Sequence, residues 1–133
     1  MQTYSEIEHG ADVSFRVQGR NFRELVENAA RSMLCLQGRT PTAATVRRNA
    51  CVSGEDRETL LVNCLNEILY LQEVHEECYY ECHIKVLSAN SLQAELIGER
   101  SSRPCKLIKA VTFHNLEIET VAGALQATVV MDV

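Results

Sequence analysis

The chain reads as an α+β domain in which two helices pack on a largely antiparallel β-sheet, and three observations lead there. Two stretches, near residues 22–36 and 55–72, repeat their apolar residues at helical spacing. The second half of the 133-residue chain changes to short extended runs separated by turn residues. Those runs are joined by connections too short for parallel crossovers, so neighbouring strands are expected to be antiparallel. Helices laid on such a sheet make a layered α+β domain.

Taken in order, Thr3 to His9 and Val13 to Gln18 both have strand character, the second with apolar residues alternating at 13, 15 and 17. His9 to Asp12 then form the turn between them. Gly19-Arg20-Asn21 breaks the pattern, and Asn21 with Glu24 three residues on matches a capping box that opens a helix. Phe22, Leu25, Val26, Ala29, Met33 and Leu36 trace one face of it, and Gly38 closes it. Residues 39 to 46 read as a connecting loop and Arg47 to Ser53 as an edge strand. Glu55-Asp56 opens the second helix, because acidic residues suit the positive end of a helix dipole. Leu61, Cys64, Leu65, Ile68 and Leu69 supply its buried stripe, with Asn63, Asn66 and Glu67 on a polar side, as far as about Gln72. Glu73, Glu76 and Glu77 read as a solvated helix end. Extended runs follow at Tyr80 to Leu87, Ser91 to Gly98, Lys106 to His114, Leu116 to Thr120 and Leu125 to Met131, broken by Ala89-Asn90, Asn115 and Ala122-Gly123. With no internal repeats, low-complexity tracts or linkers, residues 1–133 are expected to form a single domain.

Composition narrows the function. A hydrophobic content of 46% can fill one core at this length. The net charge of −5 argues against a protein that grips nucleic acid by itself, since such binding draws on a dense field of Lys and Arg. No apolar run is long enough to span a bilayer, and the first residues lack the basic and apolar regions of a signal peptide, so a cytoplasmic protein is expected. Without an export signal, the six cysteines are expected as reduced thiols, with Cys35 and Cys64 as small core residues. His75, Cys78, Cys82 and His83 are zinc-ligand types, but Cys-x3-Cys-His is not a usual spacing, and in a strand Cys82 and His83 face opposite sides. No phosphate-binding Gly-x4-Gly-Lys-Ser/Thr loop, Gly-x-Ser-x-Gly elbow or His-Glu-x-x-His helix is present in the sequence.

The candidate chemistry lies near the two ends. Asp132 and the α-carboxylate of Val133 place hard oxygen donors on one dipeptide, a half-shell for Mg²⁺ or Ca²⁺, and Asp12 would complete it if the first and last strands are neighbours. The plainer reading is a pair of solvated surface aspartates.

Several segments, in order, resemble the archease family: Glu8-His9-Gly10-Ala11-Asp12, then Phe15 to Gly19, Gly54-Glu55-Asp56 leading into Leu60 to Leu71, Gly98-Glu99, Lys109 to Ile118, and Val129-Val130-Met131-Asp132-Val133. The resemblance implies a cytoplasmic accessory protein of the RNA ligase RtcB. Such a protein is not itself a ligase; it promotes guanylylation of the ligase's active-site histidine and multiple turnover in tRNA splicing or RNA repair, so RNA is met only through the ligase. It also implies a divalent-metal site at Asp12, Asp132 and Val133. Glu8, His9, Lys109 and His114 are candidates for supporting the metal or touching the partner. Lys109 would balance the carboxylates' charge. Two features depart from the family pattern: the segment Glu99 to Cys105 is short and poor in acidic residues and histidine, and Leu125 stands near the place of a tryptophan before the last strand. Two rival functions remain open at this point. One is a small metal-dependent phosphoester hydrolase using the same carboxylates. The other is a redox chaperone or zinc-binding interaction module built on Cys78 and Cys82.

Overall fold

A computed structural model describes residues 6–9, 12–38, 46–101 and 108–133, with the side chains of Glu6–His9 outside the description. The elements, in chain order, are β1 (Glu6–His9), β2 (Asp12–Gly19), α1 (Phe22–Leu36), β3 (Val46–Ser53), α2 (Arg57–His75), β4 (Glu77–Leu87), β5 (Ser91–Arg100), β6 (Ala110–Thr112), β7 (Glu119–Val121) and β8 (Ala124–Asp132). Every strand pairing is antiparallel, as expected, but the strands divide into two sheets. One has the order β1-β2-β8-β6 with β7 also on β8; the other has the order β3-β5-β4. The helices bridge them: α1 packs on β2, β8 and β4, and α2 on β3, β4, β5 and β6. One core results, taking Phe15 and Met131 from the first sheet, Leu92 and Leu96 from the second, and Leu25, Met33, Leu61 and Ile68 from the helices. Helix α2 is buried on more than one side, with Leu60, Leu61, Val62 and Cys64 all in the interior, because it has a sheet on either hand.

The helix starts follow the sequence. Asn21 accepts from Glu24 N at 2.9 Å, and Asp56 from Thr59 N at 2.7 Å, each satisfying a donor the first turn leaves open. Only half the capping box forms. The Glu24 carboxylate turns away from the helix to take the Arg20 backbone N–H and guanidinium. Helix α2 runs one turn beyond Gln72 and stops at Glu76, whose φ of 52° is left-handed.

The structure corrects the expectation that the chain has no internal repeat. Shifted by 35 positions, β2–α1 superposes in role on β3–α2. Gly19 and Gly54 follow the two strands, Asn21 and Asp56 cap the helices, and Asn28 and Asn63 each donate back to the strand end, to Gln18 O and Ser53 O, both at 2.8 Å. At each glycine an added Cβ would collide with the first buried leucine of its helix, 2.4 Å from Leu25 N or 2.7 Å from Leu60 N. Beyond the helices, β6 and β8 complete the first unit and β4 and β5 the second, in the matching sheet orders β2-β8-β6 and β3-β5-β4. The second unit is inserted within the first. Where the helix ends meet, the equivalent glutamines bond each other, Gln37 Nε2 donating to Gln72 Oε1 at 3.0 Å in the interior. The repeat is easily missed in the sequence because few residues recur, Gly19 and Gly54, Leu25 and Leu60, Asn28 and Asn63, and Gln37 and Gln72 among them, scattered through otherwise different segments.

Four further expectations are corrected. Only Ala110–Thr112 of the Lys106 to His114 run is strand, with residues 102–107 outside the description. Cys35 is exposed, on the α1 face turned from both sheets, while Cys64 is buried as expected. Cys78 is disulfide-bonded rather than reduced, which removes its thiolate from any zinc site; compartment arguments do not see which cysteines the fold brings together. Glu77 is no solvated helix end: it is 4% exposed and bonded by Arg48 and by the Tyr79 hydroxyl, because the left-handed turn at Glu76 swings the next residue inward. Cys64 and Cys82 meet in the core, where their hydrogen bond and burial push the Cys64 thiol well above the usual range, leaving it an inert packing group.

Candidate metal centre

The register of β2 on β8 sets Asp12 directly opposite Asp132. The row continues outward on both sides, with His9 opposite Asp12 and Ala110 opposite Asp132, so one end of the sheet carries His9, Asp12, Asp132 and Ala110 side by side. Strand alternation decides the face. Phe15 and Val17 of β2, with Met131, Val129 and Ala127 of β8, point to the helices and are buried, so the out-of-phase Asp12 and Asp132 face away from the core. Both are half-buried.

Residues directly opposite on antiparallel strands hold their Cβ atoms roughly 5 Å apart, and like charges there repel. Among the described residues no Lys, Arg or His forms a salt bridge with either carboxylate. Among the described residues the charge of the pair is therefore unbalanced, an arrangement that a divalent cation with its preference for carboxylate oxygens would offset. The donor set fits a hard cation in kind. Its side-chain part is two carboxylates: no group of three or more His, Cys, Asp and Glu is gathered at ligand distance among the described residues. Further oxygens would come from the main chain of Val133, whose side chain packs on the edge of the core.

The remaining candidates are distributed around this row. Glu8 stands opposite Val13, one step out of register with Asp12; its side chain and that of His9 lie outside the described residues. Lys109 reaches the site through its backbone, its N–H donating to Asp132 O at 2.8 Å, while its side chain is exposed and makes no salt bridge among the described residues. His114 lies beyond the end of β6, its N–H on Thr112 Oγ1, and is not gathered with the aspartates.

Sequence reasoning passed over the residue that holds this corner to the core. Asn66 of α2 donates to Val111 O at 3.0 Å and accepts from Val111 N at 2.8 Å, clamping β6, the strand that flanks Asp132. It reads in the sequence as one of several polar-face residues, although an asparagine inside a helix costs propensity and invites a search for a backbone partner. Glu58 adds a second tie, accepting from Ile118 N at 3.2 Å.

Comparison with known proteins gives a consistent result. The sequence profile of the Archease protein family matches residues 4–133. The chain is 34% identical to protein archease of Methanosarcina acetivorans, over 98% of this chain and 95% of that protein, and 33% identical to protein archease of Archaeoglobus fulgidus, over 98% of each. Its fold is similar to the solution structure of protein 1598 of Methanobacterium thermoautotrophicum, with a TM-score of 0.78, 27% identity and full coverage of both chains. It is also similar to the crystal structure of an archease, described as a possible chaperone, from Thermotoga maritima, with a TM-score of 0.70 and 25% identity over 100% of this chain and 99% of that one.

Proposed function

The chain belongs to the archease family, and from that premise we propose that it is an accessory protein, without catalysis of its own, that activates an RtcB-type RNA ligase in tRNA splicing or RNA repair. Its working part is the corner at Asp12 and Asp132. These carboxylates, with main-chain oxygens of Val133, hold Mg²⁺ or Ca²⁺. Bound there, the cation supplies positive charge of the kind that steadies phosphate oxygens during nucleotidyl transfer. The protein's own residues keep the two carboxylates opposite each other, present them on the face turned from the core, and brace the flanking strand through Asn66. RNA is reached only through the ligase, in keeping with the net charge of −5.

The observation that carries this reading is the direct cross-strand pairing of Asp12 with Asp132, two like charges without a protein cation among the described residues. The test is guanylylation of the ligase histidine with and without this protein. Wild type should stimulate, and a folded Asp132→Ala variant should not. Stimulation by that variant at the wild-type level would remove the corner from the mechanism. Phosphoester hydrolysis by the pure protein with metal, lost in the same variant, would favour the hydrolase instead.

A further inference from the structure

The internal repeat supplies each position of the first sheet with a counterpart in the second. The counterpart of the Asp12–Asp132 pair is Arg47 opposite Ile97, 35 positions later in β3 and 35 earlier in β5. The same corner of the fold is thus acidic in one sheet and basic in the other. Beside Arg47 opens a cleft of about 520 Å³ whose charged lining is Arg47, Arg48, His75, Glu76, Glu77 and Arg100.

We propose that this cleft binds a phosphate-bearing anion of nucleotide size. Its volume lies within the roughly 300–1,000 Å³ of small-ligand sites. Its central cation is fixed in advance: the Nε and Nη2 groups of Arg48 hold the two Glu77 oxygens at 3.1 and 2.6 Å. Glu77 is itself buried and takes the Tyr79 hydroxyl at 2.7 Å. One edge of the guanidinium fork is consumed in this way, while Nη1 makes no hydrogen bond among the described residues and the side chain remains 35% exposed. A fork anchored on one edge and open on the other suits a phosphate oxygen, since the guanidinium pays little rotamer entropy on binding. Arg100 stands opposite Glu77 at the end of β5, exposed and free of salt bridges among the described residues. Arg47, next to Arg48 in β3, faces the opposite, exposed side of the sheet, where Glu95 holds it at 2.9 Å.

Two features oppose an anion here, Glu76 and the carbonyl end of α2. The second is reduced by pairing, since Glu76 N donates to Gln72 O and Ser101 N to Glu76 O at 2.9 Å. On the Arg48 side of the sheet Arg48 and Arg100 are matched in number by Glu76 and Glu77, so binding rests on the open edge of Arg48 and on Arg100 rather than on a net positive field.

The test is a titration of the whole protein with ATP, followed by backbone amide NMR, with EDTA present so that no metal bridges ATP to the acidic corner. Pyrophosphate and adenosine are separate arms. The expected result is saturable shifts at Arg47, Arg48, His75 and Arg100 with ATP and with pyrophosphate but not with adenosine. Arg100→Ser should weaken both by about tenfold, the loss of one charged hydrogen bond, and Asp132→Asn should leave both unchanged. Arg47→Ser, on the opposite face of β3, should leave both nearly unchanged. Shifts that fail to saturate or spread equally over Arg31 and Arg57 would overturn the proposal. So would equal binding of adenosine, or wild-type affinity in Arg100→Ser.

Discussion

Asn66→Ala removes the clamp between α2 and β6 while leaving both aspartates in place. Two partly buried hydrogen bonds are lost, at 3.0 and 2.8 Å, each worth about 1 kcal/mol net. Alanine returns about 0.6 kcal/mol of helix propensity, so the net destabilisation is about 1.4 kcal/mol, or about 5 °C in Tm for a domain of this size. Asn63→Ala is the internal control. It sits on the same helix and loses a single bond, to Ser53 O, so it should cost about 0.4 kcal/mol by the same reckoning. Thermal unfolding gives both values, and hydrogen exchange at the Val111 amide locates the effect, since that N–H loses its acceptor only in the first variant. The functional corollary is weaker ligase stimulation by Asn66→Ala at a temperature where it remains folded. Equal Tm values for the two variants, with unchanged protection at Val111, would refute the idea that this asparagine braces the corner at Asp132.

Three other outcomes follow from the geometry. Ala122 occupies the left-handed region at φ 51° in the two-residue turn joining β7 to β8, so Ala122→Gly should raise stability by about 0.5–1 kcal/mol in chemical denaturation; a loss would mean the turn adopts another form in solution. Arg48 holds the Glu77 carboxyl below the usual carboxylate range. The unfolded chain then takes up that proton at a higher pH than the folded one, so the contribution is complete above the ordinary glutamate value and fades as pH falls through the lowered one. Wild type should therefore lose Tm more steeply than Glu77→Gln between about pH 5 and 3, and parallel profiles would contradict the assignment. Gly19→Ala puts a Cβ 2.4 Å from Leu25 N, and Gly54→Ala 2.7 Å from Leu60 N. Both should destabilise by more than about 1 kcal/mol, with Gly19→Ala the worse; urea midpoints give the order, and the reverse order would show that the two turns relax differently.

Much of the local structure is legible in the residues because local rules govern it. The two helix starts follow from Asn21 and Asp56, and the turn at Ala122-Gly123 from its glycine. The meeting of Asp12 with Asp132 is read from the residues only on the condition that the first and last strands are neighbours, since register between distant strands is settled by which apolar face each must bury, here Val13, Phe15 and Val17 against Met131, Val129 and Ala127. The division into two sheets is a long-range choice with no local signature, and the inserted repeat leaves only a sparse one in the matched Gly19 and Gly54, Asn28 and Asn63. Glu77 shows the limit most plainly: a glutamate after two others on a helix end looks solvated until a left-handed residue turns it inward to an arginine 29 positions away. Asn66 is similar. Its partner, Val111, is 45 residues distant, and nothing in the helix pattern points to it.

The proposed metal corner rests on Asp12 and Asp132 as a pair without a balancing cation among the described residues, and it makes stability change sign with metal. The direct measurement is the Tm of wild type and Asp132→Asn in EDTA and in excess Ca²⁺ or Mg²⁺. In EDTA the variant should be the more stable, by a few tenths to about 1 kcal/mol, because a repulsive cross-strand contact is gone. With metal the wild type should gain, by about 2.7 kcal/mol at a hundredfold excess over Kd, and the variant should gain little. A wild type indifferent to both ions, or a variant that gains as much, would contradict the account.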